Sequence, residues 1–283
     1  MRSYQTRRKK TSDNDWVIAI PSYKRAETLK KKSLATLHKY HIPSSKIYIF
    51  VANKDEEKIY KDTLEPGSYY KLIIGKPGLA PVRNFITDYF PVGKKVVLMD
   101  DDVSDFLEYD ESVKRHEHPL RNLLKVIQTG FDECKKHGAS LWGIYPIANG
   151  FFMKPTVSTD LKFIVGTFCG VINQGTKGPN GIKLEMGEKD DYIRTIKAYI
   201  RDGAVIRLNY VAPKTAYYKE PGGLQAETGR LEKQEKAVDW LVHKYPEYVK
   251  RNPNRKSGFP EIRLIKQKKE SDSDSETKSK SEK

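Results

Sequence analysis

Three consecutive carboxylates, Asp100, Asp101 and Asp102, follow directly on Val96, Val97, Leu98 and Met99 in the stretch KKVVLMDDDVSDF. Like charges this close repel, and burying them without partners is costly. A divalent cation removes the conflict. Hard carboxylate oxygens suit Mg2+ or Mn2+, ions that also bridge to phosphate oxygens. On an extended strand end side chains alternate, so Asp100 and Asp102 point to one side and form the natural pair. A solvated acidic turn is the competing reading. The unbroken apolar run favours the metal, because it reads as a strand covered on both faces, and ligands of open α/β sheets sit beyond the carboxyl ends of such strands. A second acidic pair, Asp190 and Asp191, opens a segment with helical spacing, where carboxylates offset the helix dipole in any case.

The elements that must position these groups alternate. Apolar runs at 16–20, 47–52, 69–74 and 94–99 predict strands, and periodic segments at 26–40, 55–64 and 79–89 predict helices between them. This order implies parallel strands joined by right-handed crossovers, hence an α/β sheet flanked by helices. Beyond residue 105, helices are expected at 119–137, with Pro119 at the first position, at 190–202 and at 231–245. Strands are expected at 141–145, 163–172 and 204–211. Glycines 166 and 170 inside the second of these mark a bulge or a close approach of another group. Asn53 and Asp55 each suit either acceptance from a base or ribose edge or the cap of the following helix, the cap fitting Asp55 better. Arg83 and Asn84 follow a Gly/Pro loop at a helix start, a place suited to an anionic diphosphate.

The chain has 283 residues and two distant cysteines, Cys134 and Cys169, which exclude a disulfide framework and fit a reducing compartment, cytoplasm or nucleus. No apolar run approaches membrane-spanning length, and the basic start MRSYQTRRKK leads into no apolar segment of the kind a secretory signal needs. Residues 1–13 read as a basic disordered arm, 14–262 as one domain (a nucleotide-sugar half, 14–105, and an acceptor half, 106–262), and 263–283 as a disordered Ser/Asp/Glu/Lys tail. Of the net charge of +15, residues 1–12 hold +5 and residues 266–283 hold +1, leaving +9 on the body. A basic body fits a polyanionic partner, most simply nucleic acid, or a lysine-rich surface kept for solubility.

The order IPSYKR (20–25), VANKDE (51–56), GLAPVRN (78–84), LMDDDV (98–103) and GEKDDYIRTIKAYIRDG (187–203) resembles the nucleotide-diphosphosugar transferases of the GT-A fold. More narrowly, PGLAPVRN followed by MDDDV resembles the viral and phage glycosyltransferases associated with TET/JBP oxygenases, a group that includes the base J glucosyltransferase. The resemblance implies a mixed, mainly parallel sheet and transfer of a hexose, glucose from UDP-glucose, to a hydroxyl of a 5-hydroxymethyl-type pyrimidine in DNA. It places Pro21, Tyr23 and Arg25 against the nucleotide, with Tyr23 on the uracil face and Arg25 at a phosphate. By the same resemblance Asp102 is expected to bind Mn2+ or Mg2+ directly and Asp100 to meet the ribose or the cation's waters, with Asp101 beside them. Asp191, or Asp190, is expected to deprotonate the acceptor. The chain departs from the usual Glu-Asp pair, having Glu188, Lys189, Asp190 and Asp191, which leaves the register of the base open. No histidine lies in 211–225 to serve as a third metal ligand. The loop 215–225, with Lys219, Gly222 and Gly223, reads as a lid or as a surface hairpin. The aromatic segment NGFFM (149–153) is the candidate stacking surface for an extruded base, and RNPNRKSG (251–258) a candidate backbone contact. A glycan, lipid or protein acceptor is the alternative, and a non-catalytic nucleic-acid-binding module the second.

Overall fold

The computed structural model describes residues 15–215, 229–253 and 258–267. Residues 216–225 of the expected lid, the arm before residue 14, residues 254–257 of the basic loop and the tail beyond 267 lie outside the described residues. Strands β1 (Trp16–Pro21), β2 (Ile47–Val51), β3 (Lys71–Ile74) and β4 (Lys95–Met99) form one flank of an eight-stranded sheet. They pair in parallel in the order β3-β2-β1-β4. Helices α1 (26–39), α2 (Lys54–Thr63) and α3 (Leu79–Tyr89) supply the connections. This half follows the apolar pattern closely, because both faces of each central strand are covered and, apart from Lys95 at the start of β4, its residues are hydrophobic.

The second half is mixed. Strand β7 (Leu141–Ile144) and β9 (Phe168–Ile172) continue the sheet antiparallel, β10 (Ile206–Leu208) pairs parallel to β7, and β8 (Val157–Ser158) closes the edge. Four of the seven pairings in the sheet are parallel, so the architecture is mixed and mainly parallel as expected. Several boundaries differ from expectation for local reasons. The strand expected at 163–172 begins only at Phe168, because Thr167 already turns its carbonyl to the amide of Asp100 and Gly166 lies against Arg83. The strand expected at 204–211 breaks at Asn209, whose side chain accepts from Arg207 and donates to Thr156 and Ser158. Its remainder, β11 (Val211–Lys214), joins β5 (Asp105–Tyr109) and β6 (Glu117–Pro119) in a small antiparallel sheet that the sequence pattern did not reveal. Pro119 therefore ends a strand. Helix α4 (Leu123–His137) starts later, capped by Asn122, which accepts from the amide of Lys125.

Helix α5 (Asp190–Asp202) has the expected limits, and α6 (Arg230–Lys244) packs with β12 (Val249–Arg251) and β13 (Ile262–Leu264). Val238, Leu241, Val249 and Ile262 share one buried cluster with Ala80, Leu184, Ile193 and Ile196. The C-terminal segment is thereby sealed onto α3 and α5, and the folded chain runs past the expected boundary at residue 262. On the opposite face the indole of Trp142 fills a slot between Gly130 of α4 and Gly170 of β9, where no Cβ fits on either glycine.

Candidate active site

The carboxyl ends of β1 and β4, the start of α3 and the start of α5 open onto one cleft of about 920 Å3. This is the size of a small-molecule site. Pro21, Tyr23, Arg25, Arg83, Asp100, Asp101, Asp102, Asp190 and Asp191 all line it. Strand β4 ends at Met99, so a turn rather than the strand spaces the aspartates. Ser33 fixes this turn. Its buried hydroxyl donates to the Asp100 carbonyl (2.7 Å) and accepts from the Val103 amide (3.0 Å). Ser33 sits where α1 widens from α (Ala26–Leu29) to a π-helical stretch (Lys30–Leu34) before returning to α (Ala35–Lys39).

The three carboxylates have different environments. Asp101 is turned inward, its side chain 7% exposed, accepting from Ser22 Oγ (2.5 Å) and Arg25 Nη1 (3.1 Å). Ser22 in turn shares a hydrogen bond with the Tyr60 hydroxyl (2.6 Å), which also accepts from the Arg25 amide. Asp100 and Asp102 keep more access to the cleft, at 33% and 16%. Asp100 pairs with Arg83 (3.1 Å), and Asp102 lies 3.6 Å from Arg25. Burial lifts both Asp100 and Asp101 to about 6, against the pull of Arg83 on the first and of Ser22 and Arg25 on the second.

Arg83 does not point at an anion site as expected. It is buried between Asp100 and Asp190 (3.2 Å), and a Cβ on Gly166 would come within 2.7 Å of its guanidinium. The glycine in the strand pattern was the available sign of this approach. Arg83 thus ties the metal-type aspartates to the head of α5. Asp190 is also buried and lies 3.6 Å from Arg194 one helical turn on, a pairing legible from the i,i+4 spacing. Both guanidiniums hold Asp190 in place, which leaves Asp191 as the better proton acceptor. Asp191 lines the cleft, accepts from the amide of Tyr192 (2.9 Å), and is pushed up to about 7 by burial and then by the charge of Asp190.

Two expected contacts are redirected. Asn53 does not line the cleft; it caps α2, accepting from the Glu56 amide (3.0 Å), so the cap is Asn53 rather than Asp55. Asn84 spends both ends of its amide on the backbone of Leu184 (2.8 and 2.9 Å), a contact 100 residues away that no local pattern reveals. Arg251 pairs with Glu235 (2.5 Å) and Asp239 of α6. His118 lies against Asp110 (3.5 Å), outside the cleft. Further residues complete the wall, Gln234, Glu261 and Tyr192 among them without any sign in the sequence. Lys189, in left-handed conformation before α5, pairs with Glu261 (3.2 Å), and Gln234 of α6 donates to Glu188. Phe163 stacks on Tyr192 (4.2 Å between centroids) beside Asp191. Helix α3 opens on Gly78 with no side chain capping it, and Gly78, Leu79 and the exposed Lys76 line the cleft.

Among the described residues no three His, Cys, Asp or Glu side chains are gathered as a ready-made metal cage. The donor chemistry nevertheless fits a divalent cation. Asp100, Asp101, Asp102, Asp190 and Asp191 face the guanidiniums of Arg25, Arg83 and Arg194 and the charge of Lys189, so five carboxylates meet four cations, one of which is also paired with Glu261. Within the aspartate run, Asp100 and Asp102 have more access than Asp101 to supply hard oxygens.

No protein-family model matches the chain, and no curated protein matches it. Solved structures do. The TarS fragment 1–349 of S. aureus in complex with UDP-GlcNAc superposes with a TM-score of 0.50 at 12% identity, covering 81% of this chain and 66% of that one. A mannosyltransferase from Pyrobaculum calidifontis in complex with GDP-Man and Mn2+ gives 0.50 at 13%, covering 82% and 63%. The fold is GT-A. The chain spans under two thirds of the length of these two relatives. Among the described residues no helix of the chain is long and apolar enough to cross a membrane.

Proposed function

We propose that the chain is a metal-dependent glycosyltransferase that moves a hexose, glucose from UDP-glucose, to a hydroxyl of a 5-hydroxymethyl-type pyrimidine in DNA. The observation that carries the reading is the placement of Asp191, lifted to about 7, in the same cleft as Asp100 and Asp102. Tyr23 is exposed at the end of β1, where its ring can stack on a nucleobase. The N-terminus of α3 and Lys76 suit the diphosphate. Asp100 and Asp102 would hold Mn2+ or Mg2+, which when bound neutralises charge developing on the departing diphosphate. Asp191 takes the proton of the acceptor hydroxyl as its oxygen bonds to the anomeric carbon. The bond from that carbon to the diphosphate oxygen breaks, and its electron pair leaves with the nucleotide. Displacement of this kind inverts the anomeric centre. The GT-A fold and the nucleotide sugars bound by its structural relatives support the donor class, and the basic body supports a polyanionic acceptor. Phe163 on Tyr192 also offers a flat face to a sugar ring, so a glycan is the alternative acceptor.

The test is transfer from UDP-glucose to hydroxymethylated DNA, with UDP binding in Mn2+ followed by calorimetry. Wild type is expected to transfer and Asp102→Ala to lose both transfer and the Mn2+-dependent heat. Equal transfer by the two proteins refutes the metal assignment. Transfer to glycans alone selects the alternative. DNA affinity without any UDP heat means a non-catalytic binding module.

A further inference from the structure

Phe151 and Phe152 are 66% and 59% exposed, large rings on the surface of a described segment. They are held there by construction. Gly150 is packed against the backbone of Arg115 and His116 so closely that a Cβ would not fit. Its amide donates to Glu117 Oε2 (2.5 Å), and Asn149 accepts from the Phe151 amide (3.1 Å). His116, at φ 56°, lays its ring 5.2 Å from Phe151 at 36°, and Tyr109 stands 6.2 Å behind it. Exposing two rings costs solvation free energy, and a rigid mount saves the ordering entropy of whatever binds them.

Exposed cations outnumber exposed acids in the loops around the rings. Lys114, Arg115, Arg121 and Lys154 are exposed. The acids of the same loops are mostly occupied: Glu117 beneath Gly150 and Arg115, and Asp110 by Ser112, His118 and Arg121, with Glu111 the acid left exposed and Lys114 and Lys154 the cations outside these pairs. The mount is also tied to the cleft. Pro146 and Ile147 line the cleft wall, and Phe151 follows four residues later, so it lies no more than about 14 Å from Ile147 along the chain.

We propose that Phe151 and Phe152, with His116 and the surrounding Lys and Arg side chains, form a stacking platform for single-stranded nucleic acid that leads the strand into the cleft. Successive bases stack on the rings while the cations meet the phosphates, the combination that binds single strands without reading sequence. This deepens the DNA-acceptor reading and rests on it for the strand's destination, but the platform itself binds unmodified strand.

The experiment measures anisotropy of a labelled unmodified dT12 oligonucleotide with the full chain, alongside UDP–Mn2+ calorimetry and thermal melting. Phe151→Ala/Phe152→Ala is expected to weaken oligonucleotide binding at least tenfold, with UDP binding and the melting temperature unchanged, and Phe151→Trp/Phe152→Trp to restore it. Equal affinity of the Ala variant and wild type overturns the platform. So does a wild type that binds no oligonucleotide. A melting temperature lowered with no change in affinity also overturns it, because the rings then cover the chain itself. If the strand binds through the rings but UDP gives no heat, the platform stands and the glycosyltransferase reading falls. If sugar is transferred while the rings are indifferent to the strand, the reverse holds.

Discussion

Asp191 and Asp190 are neighbours in sequence with different work to do. Asp190 sits between Arg83 and Arg194, while Asp191 faces the cleft with its carboxyl held up to about 7. A base must be ionised, so with Asp191 in the proposed role transfer is expected to rise with pH through about 7 and to be lost below it as Asp191 binds its proton. Asp191→Asn is expected to lower kcat by about 10²–10⁴-fold with little change in donor KM, and to abolish this acidic limb of the pH profile. An unchanged limb would assign it to another group. At this scale the sequence shows residue types well and partners poorly. The aspartate run and the acidic start of α5 are local, and so is the i,i+4 partner Arg194. Arg83 reads as a phosphate ligand because its partners, Asp100 and Asp190, lie 17 and 107 positions away. The choice between Asn53 and Asp55 turns on one backbone amide that composition does not locate.

The element that places the metal-type aspartates is α1. Its π-helical stretch brings Ser33 under the turn, where one hydroxyl bridges the Asp100 carbonyl and the Val103 amide. Thr36 adds a bond to the Val103 carbonyl (3.1 Å). Such insertions often mark functional positions in helices. Ser33→Ala leaves the turn's buried polar groups without this partner, at a cost of about 1–3 kcal/mol. It is expected to weaken Mn2+-dependent UDP binding by calorimetry, with Ser33→Thr recovering part of it. Stability lost with nucleotide binding intact would make Ser33 a packing residue only. The π stretch itself is invisible in a pattern of apolar positions, which reads 26–40 as one regular helix. The short strands β5, β6, β12 and β13 are hidden for a related reason. Each holds three to five residues and buries two at most, so no alternation is long enough to register.

At the scale of the whole molecule the cleft is assembled from both ends of the chain. Arg230, Gln234 and Glu261 line it, and α6 and β13 are sealed onto α3 and α5 by Val238, Leu241, Val249 and Ile262. Truncation before Arg230 exposes Ile193 and Ile196 and is expected to lower the melting temperature and abolish transfer together. A truncated chain that melts normally and still transfers sugar would show the C-terminal segment to be an appendage. The parallel half of the sheet was legible because buried strands are uniformly apolar; the order in which the second half threads the sheet was not, since antiparallel insertion depends on long-range pairing.

The slot that holds Trp142 has a consequence for how this chain can vary. The indole occupies the space where Cβ atoms of residues 130 and 170 would stand, so the three positions form one lock between helix and sheet. Gly170→Ala alone is expected to be destabilised by about 1–3 kcal/mol, and Gly170→Ala with Trp142→Leu less so than the two single changes summed, as chemical denaturation can measure. A descendant of this chain that loses either glycine must trade its tryptophan for a smaller side chain at the same time.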